Sequence, residues 1–218
     1  MNHQQALHQL INDYCKWISG ECCFSSTDKV NKMKKTIVLY YSKTGNNQFV
    51  AKKLAKEIQA DLEQIETKTK SFFSLILLTW FKKGAKIIPL DIDLTTYDRV
   101  ILLGPIWMGN LISPLRGFVK RYGKDIQDFV FITVCGGGDE DKDSKYGFEN
   151  VFNEMRKLYP SPAITCYEIS TKGVGGESAG TPGTTSVGSP TDLPLLTEEL
   201  FHGDVKDRFD QVVEALKK

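Results

Sequence analysis

Thr36-Ile-Val-Leu-Tyr-Tyr-Ser-Lys-Thr-Gly-Asn-Asn47 is an apolar run that passes into a small, hydroxyl-rich loop and then into a helical pattern. The run from Thr36 to Tyr41 is continuously apolar rather than alternating, which suits a central parallel strand buried on both faces. The loop has little bulk to obstruct a ligand. Ser42 and Thr44 bring hydroxyls, Lys43 a cation, Gly45 a close backbone approach, and Asn46 and Asn47 side-chain amides. The first N–H groups of the following helix have no intrahelical partner, so a phosphate is the expected guest. The stretch has neither the Gly-x-x-x-x-Gly-Lys of a P-loop nor the Gly-x-Gly-x-x-Gly of a dinucleotide fold.

Downstream, strand and helix patterns alternate. Val50, Ala51, Leu54, Ala55 and Ile58 mark one face of a helix, and Asp61 to Thr67 reads as a more polar edge strand. Ser71 to Lys83 is a helix apolar nearly all round, with Gly84 as its expected stop. Such a helix needs a roof, for which the N-terminal helix pattern is available, or a contact between subunits. Asp98 to Gly104 is a second buried strand, and Ser113 and Pro114 cap and start the next helix, closed by Gly123. Phe129 to Cys135 is a third buried strand. An acidic loop follows, then a helix with Phe148, Val151, Phe152, Met155 and Leu158, and a strand over Ala163 to Ile169. This alternation predicts right-handed βαβ units on an open parallel sheet.

Two segments flank that core. Residues 5–18 carry apolar side chains at helical spacing, and Gly20 to Lys35 reads as a linker, so residues 1–35 are separated from a main domain over 36–218. From Gly173 to Gly203 the composition turns to Gly, Ser, Thr and Pro, which predicts a flexible excursion before a closing helix capped by Asp204.

Composition bounds the function. With 218 residues, 41% hydrophobic content and a net charge of +1, the chain fits one α/β core with additions and shows no general attraction to nucleic acid. The longest apolar stretch, Phe72 to Phe81, is too short to span a bilayer. Five cysteines at irregular spacing do not form a disulfide framework, which with the lack of an export pattern points to the cytoplasm. His3, His8 and His202 are scattered, so no metal site and no histidine acid or base is expected.

Ligands of open α/β sheets sit at the carboxyl ends of the strands, where neighbouring connections diverge. Three loops qualify: Ser42 to Asn47, Gly104-Pro-Ile-Trp-Met-Gly-Asn110, and Cys135-Gly-Gly-Gly-Asp139 with the residues to Tyr146. A flat heteroaromatic ring could lie between Trp107 and Tyr146, with backbone groups of the glycine-rich run at its polar edge. Trp107 reads equally as a core or interface residue, and Tyr146 as a helix cap.

The first loop resembles the Ser/Thr-x-Thr-Gly-x-Thr phosphate loop of the flavodoxin family, with Asn47 in place of the last Thr. Gly-Pro-Ile-Trp-Met-Gly resembles that family's aromatic flavin loop, and Gly-Gly-Asp leading to Tyr-Gly-Phe-Glu-Asn-Val-Phe its second flavin loop and next helix. The resemblance covers about residues 36–169 and the last helix. It implies an α/β fold with a flavodoxin-like open five-stranded parallel sheet of order 2-1-3-4-5, helices on both faces and an extra N-terminal helix. It further implies FMN held by Ser42, Lys43, Thr44, Gly45, Asn46 and Asn47 at the phosphate. Pro105, Ile106, Trp107, Met108, Gly109, Cys135, Gly136, Gly137, Gly138 and Tyr146 would surround the ring, with no catalytic side chain. The Met108–Gly109 peptide would turn with the flavin's redox state, leaving Gly109 at positive φ. The implied function is electron transfer to a redox partner protein or small-molecule acceptor, with no nucleic acid, no membrane span and a possible homodimer. Two alternatives stand beside it: an FMN-dependent NAD(P)H- or quinone-type oxidoreductase, protoporphyrinogen oxidase-like ones included, and a flavin-free interaction domain.

Overall fold

β1 (Thr36–Tyr40) lies between β2 (Asp61–Gln64) and β3 (Arg99–Trp107), parallel to both. β5 (Asp128–Cys135) extends the sheet from β3, and β6 (Ile164–Ser170) closes it, giving a parallel order β2-β1-β3-β5-β6. A two-residue strand, β4 (Asn110–Leu111), folds back antiparallel on the end of β3 and lies off this path. The expected five-stranded order is therefore present, with one short hairpin strand added. These elements come from a computed structural model that describes residues 34–136, 143, 147–161, 163–171, 174 and 195–218. The chain divides into units Met1–Met33 and Lys34–Lys218, so the helix expected over 5–18 and most of the linker lie outside the described residues.

Alternation along the strands sorts the core into two layers. Ile37, Leu39, Val100, Leu102, Phe129 and Phe131 face one side, with α2 (Phe72–Trp80), α3 (Ser113–Tyr122) and α4 (Phe148–Leu158) packed against them. Val38, Tyr40, Ile101, Leu103, Val130 and Ile132 face the other, under α1 (Asn46–Glu57) and α5 (Asp204–Leu216). Both faces of the three central strands are apolar because both are covered. The edge strands β2 and β6 are more exposed and more polar, as expected for β2.

Several local expectations shift by a few residues. α2 stops at Trp80 rather than near Gly84. Lys82 takes a left-handed φ of 53°, and Lys83 N–H reaches back to the Leu78 carbonyl at 2.8 Å, closing a Schellman turn without glycine. Ser113 does not cap α3. It is the helix's first residue, and its hydroxyl donates to the Leu75 carbonyl of α2 at 2.9 Å. At α5 the capping position is Gly203, with Asp204 in the first turn, where a carboxylate favours the positive end of the helix dipole.

The excursion expected over 173–203 lies mostly outside the described residues, but its last nine residues are structured. Leu196 and Phe201 are buried in the α1/α5 layer, and Phe201 meets Phe49 and Phe209 edge to face at 5.4 and 5.2 Å. The flexible boundary is thus placed too far downstream by composition alone. Two apolar residues in the Pro-Leu-Leu-Thr-Glu-Glu-Leu-Phe run are enough to seat it.

Phe201→Ala is expected to lower stability by about 3 kcal/mol in denaturant titration, the cost of truncating a buried aromatic. A second test reads the acid side. Burial raises the Asp128 carboxyl's pKa, but hydrogen bonds from Lys34 (2.6 Å) and Arg99 (3.0 Å) outweigh it and hold the group below its ordinary value. A depressed carboxylate contributes stability above its unfolded pKa of about 4 and loses it as pH falls through the folded value. Asp128→Asn should therefore be less stable than the parent at pH 7. The gap should narrow as pH falls below about 4 and close in stronger acid, as read by thermal melts across pH.

Candidate functional site

The connection from β1 to β2 runs through α1 on one face, whereas the connection from β3 to β5 runs through α3 on the other. The two diverge at the carboxyl ends of β1 and β3, which opens a crevice there. The Ser42–Gly45 loop and the hairpin after β3 form its two sides. Tyr41 N–H donates to the Leu103 carbonyl at 3.0 Å and ties the start of the loop to β3.

Within the loop, Gly45 sits at φ 103°, a left-handed value that a residue with a Cβ adopts only with strain. Its N–H donates to the Ser42 hydroxyl at 3.0 Å, which curls the loop over the start of α1. α1 begins with no side-chain cap and no acidic residue in its first turn. Its own first turn thus brings no carboxylate to the positive end, which suits an anion. Thr44 and Lys43 are exposed beside it, and the Lys43 ammonium lies 5.9 Å from the centre of the Phe72 ring.

The two asparagines have separate fates. Asn46 Oδ1 accepts from the Leu196 N–H at 2.8 Å, so this amide anchors the 195–203 segment, and Leu195 lies against Gly45. No local pattern signals this contact, which spans 150 residues. Asn47, 4% exposed, has a buried Oδ1 without a hydrogen-bond partner, the one such side-chain atom among the described residues. A buried acceptor left unmade is costly, and such groups in native structures call for a ligand, water or functional explanation.

Across the crevice, Trp107 pairs with Asn110 around a two-residue turn. Met108 and Gly109 both have positive φ, 51° and 69°, the signature of a type I′ hairpin turn. Gly109 adopts this positive φ readily, but Met108 is an ordinary residue held in a sparsely populated region at a cost of about 1–3 kcal/mol. The Met108 carbonyl accepts from Asn110 Nδ2 at 2.7 Å. Trp107 itself is 4% exposed and meets Tyr41 and Phe72 edge to face at 6.1 and 5.1 Å. Its ring belongs to the core layer, and the open stacking wall expected of it is absent here. Met108 is the exposed side chain of this loop, while Pro105 and Ile106 are half-buried.

The hairpin is held from behind by a half-buried carboxylate that sequence reasoning missed. Glu154 of α4 pairs with Arg116 of α3 and with Lys82 at 2.6 Å, and it accepts from the Leu111 N–H of β4 at 3.1 Å. Arg116 also donates to the Leu111 carbonyl at 3.0 Å. Burial lowers the guanidinium's pKa, while Glu154 opposes the shift and keeps the group charged.

Of the third loop, Cys135 is half-buried at the end of β5 and Gly136 is exposed, whereas Gly137, Gly138 and Tyr146 lie outside the described residues. The Cys135 carbonyl accepts from the Thr171 N–H at 2.8 Å and anchors the strand's end to the segment after β6. Burial pushes the Cys166 thiol up to about 11, so it is a protonated, packed side chain at neutral pH.

Comparison with known proteins bears on this architecture. No family model matches the chain. It is 25% identical over 129 residues to an uncharacterized protein of Archaeoglobus fulgidus, covering 58% of this chain and 75% of that one. A flavoprotein of Lactobacillus acidophilus in complex with FMN aligns with a TM-score of 0.51 at 17% identity, over 63% of this chain and 92% of that one. A protein of Bacteroides eggerthii described as a putative flavoprotein aligns with a TM-score of 0.50 at 22% identity, over 62% of this chain and 86% of that one. Together with the strand order, these likenesses establish a flavodoxin-like fold.

Glu154→Gln should lower stability by about 3 kcal/mol, because it leaves the Arg116 charge buried without its partner. Lys82→Ala should cost under about 1 kcal/mol, since it removes only the exposed partner. Parallel urea titrations check the contrast.

Proposed function

We propose that this flavodoxin-fold protein binds FMN noncovalently at the crevice between β1 and β3 and passes electrons through it. The observation that carries the reading is the start of α1: an uncapped helix end beneath a hydroxyl-rich loop, with the buried Asn47 amide oxygen still lacking a partner. These features fit the phosphate end of the cofactor. Ser42, Thr44 and the first turn of α1 would hold the phosphate, and Lys43 would add a positive field. Asn47 would supply an acceptor to a ribityl hydroxyl, or a donor to the phosphate with the amide turned over. Asn46 would contribute through its backbone, since its side-chain oxygen serves Leu196.

On the ring side, contact passes from the buried Trp107 to the exposed Met108 and the hairpin backbone. Bound FMN supplies one- and two-electron chemistry, while the protein's part is to hold it, shield one edge and set its surroundings. The hairpin's part is to present a fixed backbone edge. The Asn110 amide and Glu154 keep that edge in place. The acceptor is a redox partner protein or a small molecule. The near-neutral charge of +1 favours no single partner type and leaves a place for the NAD(P)H- or quinone-linked enzyme on the same fold. Steady NAD(P)H oxidation by the purified protein with a quinone would select the enzyme.

The test compares ligands with and without the phosphate. Thr44→Ala should weaken FMN by about tenfold and leave riboflavin nearly unchanged, by fluorescence titration. Equal losses for both, or no FMN binding by the parent protein, would overturn the assignment. Asn47→Ala should also weaken FMN, yet shift the ligand-free thermal midpoint by less than about 4 °C, because it removes an acceptor that has no partner to lose.

A further inference from the structure

We propose that the outer face of α2 (Phe72–Trp80), with the turn and ribbon beside it, docks the protein on an anionic lipid surface. Phe73, Leu77, Trp80 and Phe81 are 74, 45, 71 and 66% exposed. At helical spacing they fall within an arc of about 100°. On the opposite side of the helix, Leu75 and Thr79 are buried. The outward stripe is fixed rather than incidental, because polar contacts set the roll of the helix. The Thr79 hydroxyl donates to the Leu75 carbonyl at 2.8 Å and accepts from the Ser113 N–H at 2.9 Å, and the Ser113 hydroxyl donates to the same carbonyl. Turning the stripe inward would leave the Ser113 N–H and hydroxyl of α3 buried without partners.

Charge selects the occupant. Residues 67–90 hold five lysines, Lys68, Lys70, Lys82, Lys83 and Lys86, and no acidic residue, in a chain whose net charge is +1. All five are exposed. The Lys68 N–H donates to the Lys86 carbonyl at 2.9 Å and the Ile88 N–H to the Glu66 carbonyl at 2.8 Å, so a short ribbon brings Lys68, Lys86 and the exposed Ile88 together. Lys70 and Lys82 are paired with Glu66 and Glu154, whereas Lys68, Lys83 and Lys86 make no ion pair among the described residues. Lysine is depleted at protein–protein interfaces, while an aromatic and leucine stripe with flanking lysines is the pattern of a helix lying in the headgroup region. There the rings enter the acyl boundary and the lysines meet anionic lipid, each adding to the attraction. No helix among the described residues is long and apolar enough to cross a membrane, so the contact is peripheral.

The experiment uses the full chain and vesicles of phosphatidylcholine with about 30% phosphatidylserine, against phosphatidylcholine alone, in co-sedimentation. At low salt the parent should bind the anionic vesicles at least about tenfold more tightly than the neutral ones, and high salt should release it. Phe73→Ser with Trp80→Ser, and separately Lys83→Glu with Lys86→Glu, should each weaken binding by about tenfold or more with unchanged circular dichroism. No binding to anionic vesicles at low salt would overturn the proposal, as would binding that both variants retain, which would place the lipid contact elsewhere in the chain. Concentration-dependent dimerisation in ultracentrifugation, abolished by Phe73→Ser with Trp80→Ser and without vesicle binding, would overturn it in favour of a second copy. Retention of an acidic protein partner without vesicle binding would overturn it in favour of a protein interface.

Discussion

The parallel pairing of β1 with β3 is the constraint on which the rest of the structure depends. Residues Thr36 to Tyr40 match Arg99 to Leu103 in register, which sets both strands' carboxyl ends at the same edge of the sheet. A parallel neighbour can be reached only by a crossover, and each crossover must lie on one face. With α1 on one face and α3 on the other, neither helix can cover the edge between them. The crevice is therefore a product of connectivity before any side chain lines it, and the uncapped start of α1 arrives there because its strand ends there.

What lines the crevice is held from a distance. The Met108–Gly109 hairpin contributes few contacts of its own, and Met108 adopts a backbone conformation that costs energy. Glu154 and Arg116 offset that cost by gripping both backbone groups of Leu111, one residue past the turn pair. A buried ion pair is a poor source of net stability, because desolvation consumes most of the attraction. Its value here is geometric, since it fixes where α3, α4 and the hairpin meet.

The five parallel strands and the five described helices were legible because each rests on local periodicity and short connections, whereas the strand order came only with the flavodoxin resemblance and the short β4 was not foreseen. The apolar run Thr36 to Tyr41 announces a central strand wherever the remaining chain goes. Site details were less legible, for a common reason. Trp107 next to glycines reads as an open ring wall until Tyr41 and Phe72, far away in sequence, close around it. Asn46 and Asn47 are indistinguishable in a motif, yet Leu196 engages one and leaves the other. Ser113 before Pro114 has the form of a cap, but its hydroxyl was taken by α2. In each case a contact of long sequence separation overrode a correct local rule. The segment 195–203 shows the opposite error: an average over a polar window hid Leu196 and Phe201, whose burial anchors it.

α2 shows how far a local pattern can be trusted when tertiary contacts agree with it. Its composition, apolar on nearly every side, leaves the buried face undetermined, since no polar stripe marks the solvent side. The choice falls to Thr79 of α2 and to Ser113 of α3 behind it, whose hydroxyls must be satisfied once buried. Satisfying them turns Phe73, Leu77 and Trp80 outward. Lys82, paired with Glu154 just past the helix's end, joins this surface to the network that holds the hairpin. Phe72, against Trp107, joins it at the other end. The exposed stripe and the crevice are thus two sides of one rigid block. Loss of the polar contacts behind α2 would disturb both together.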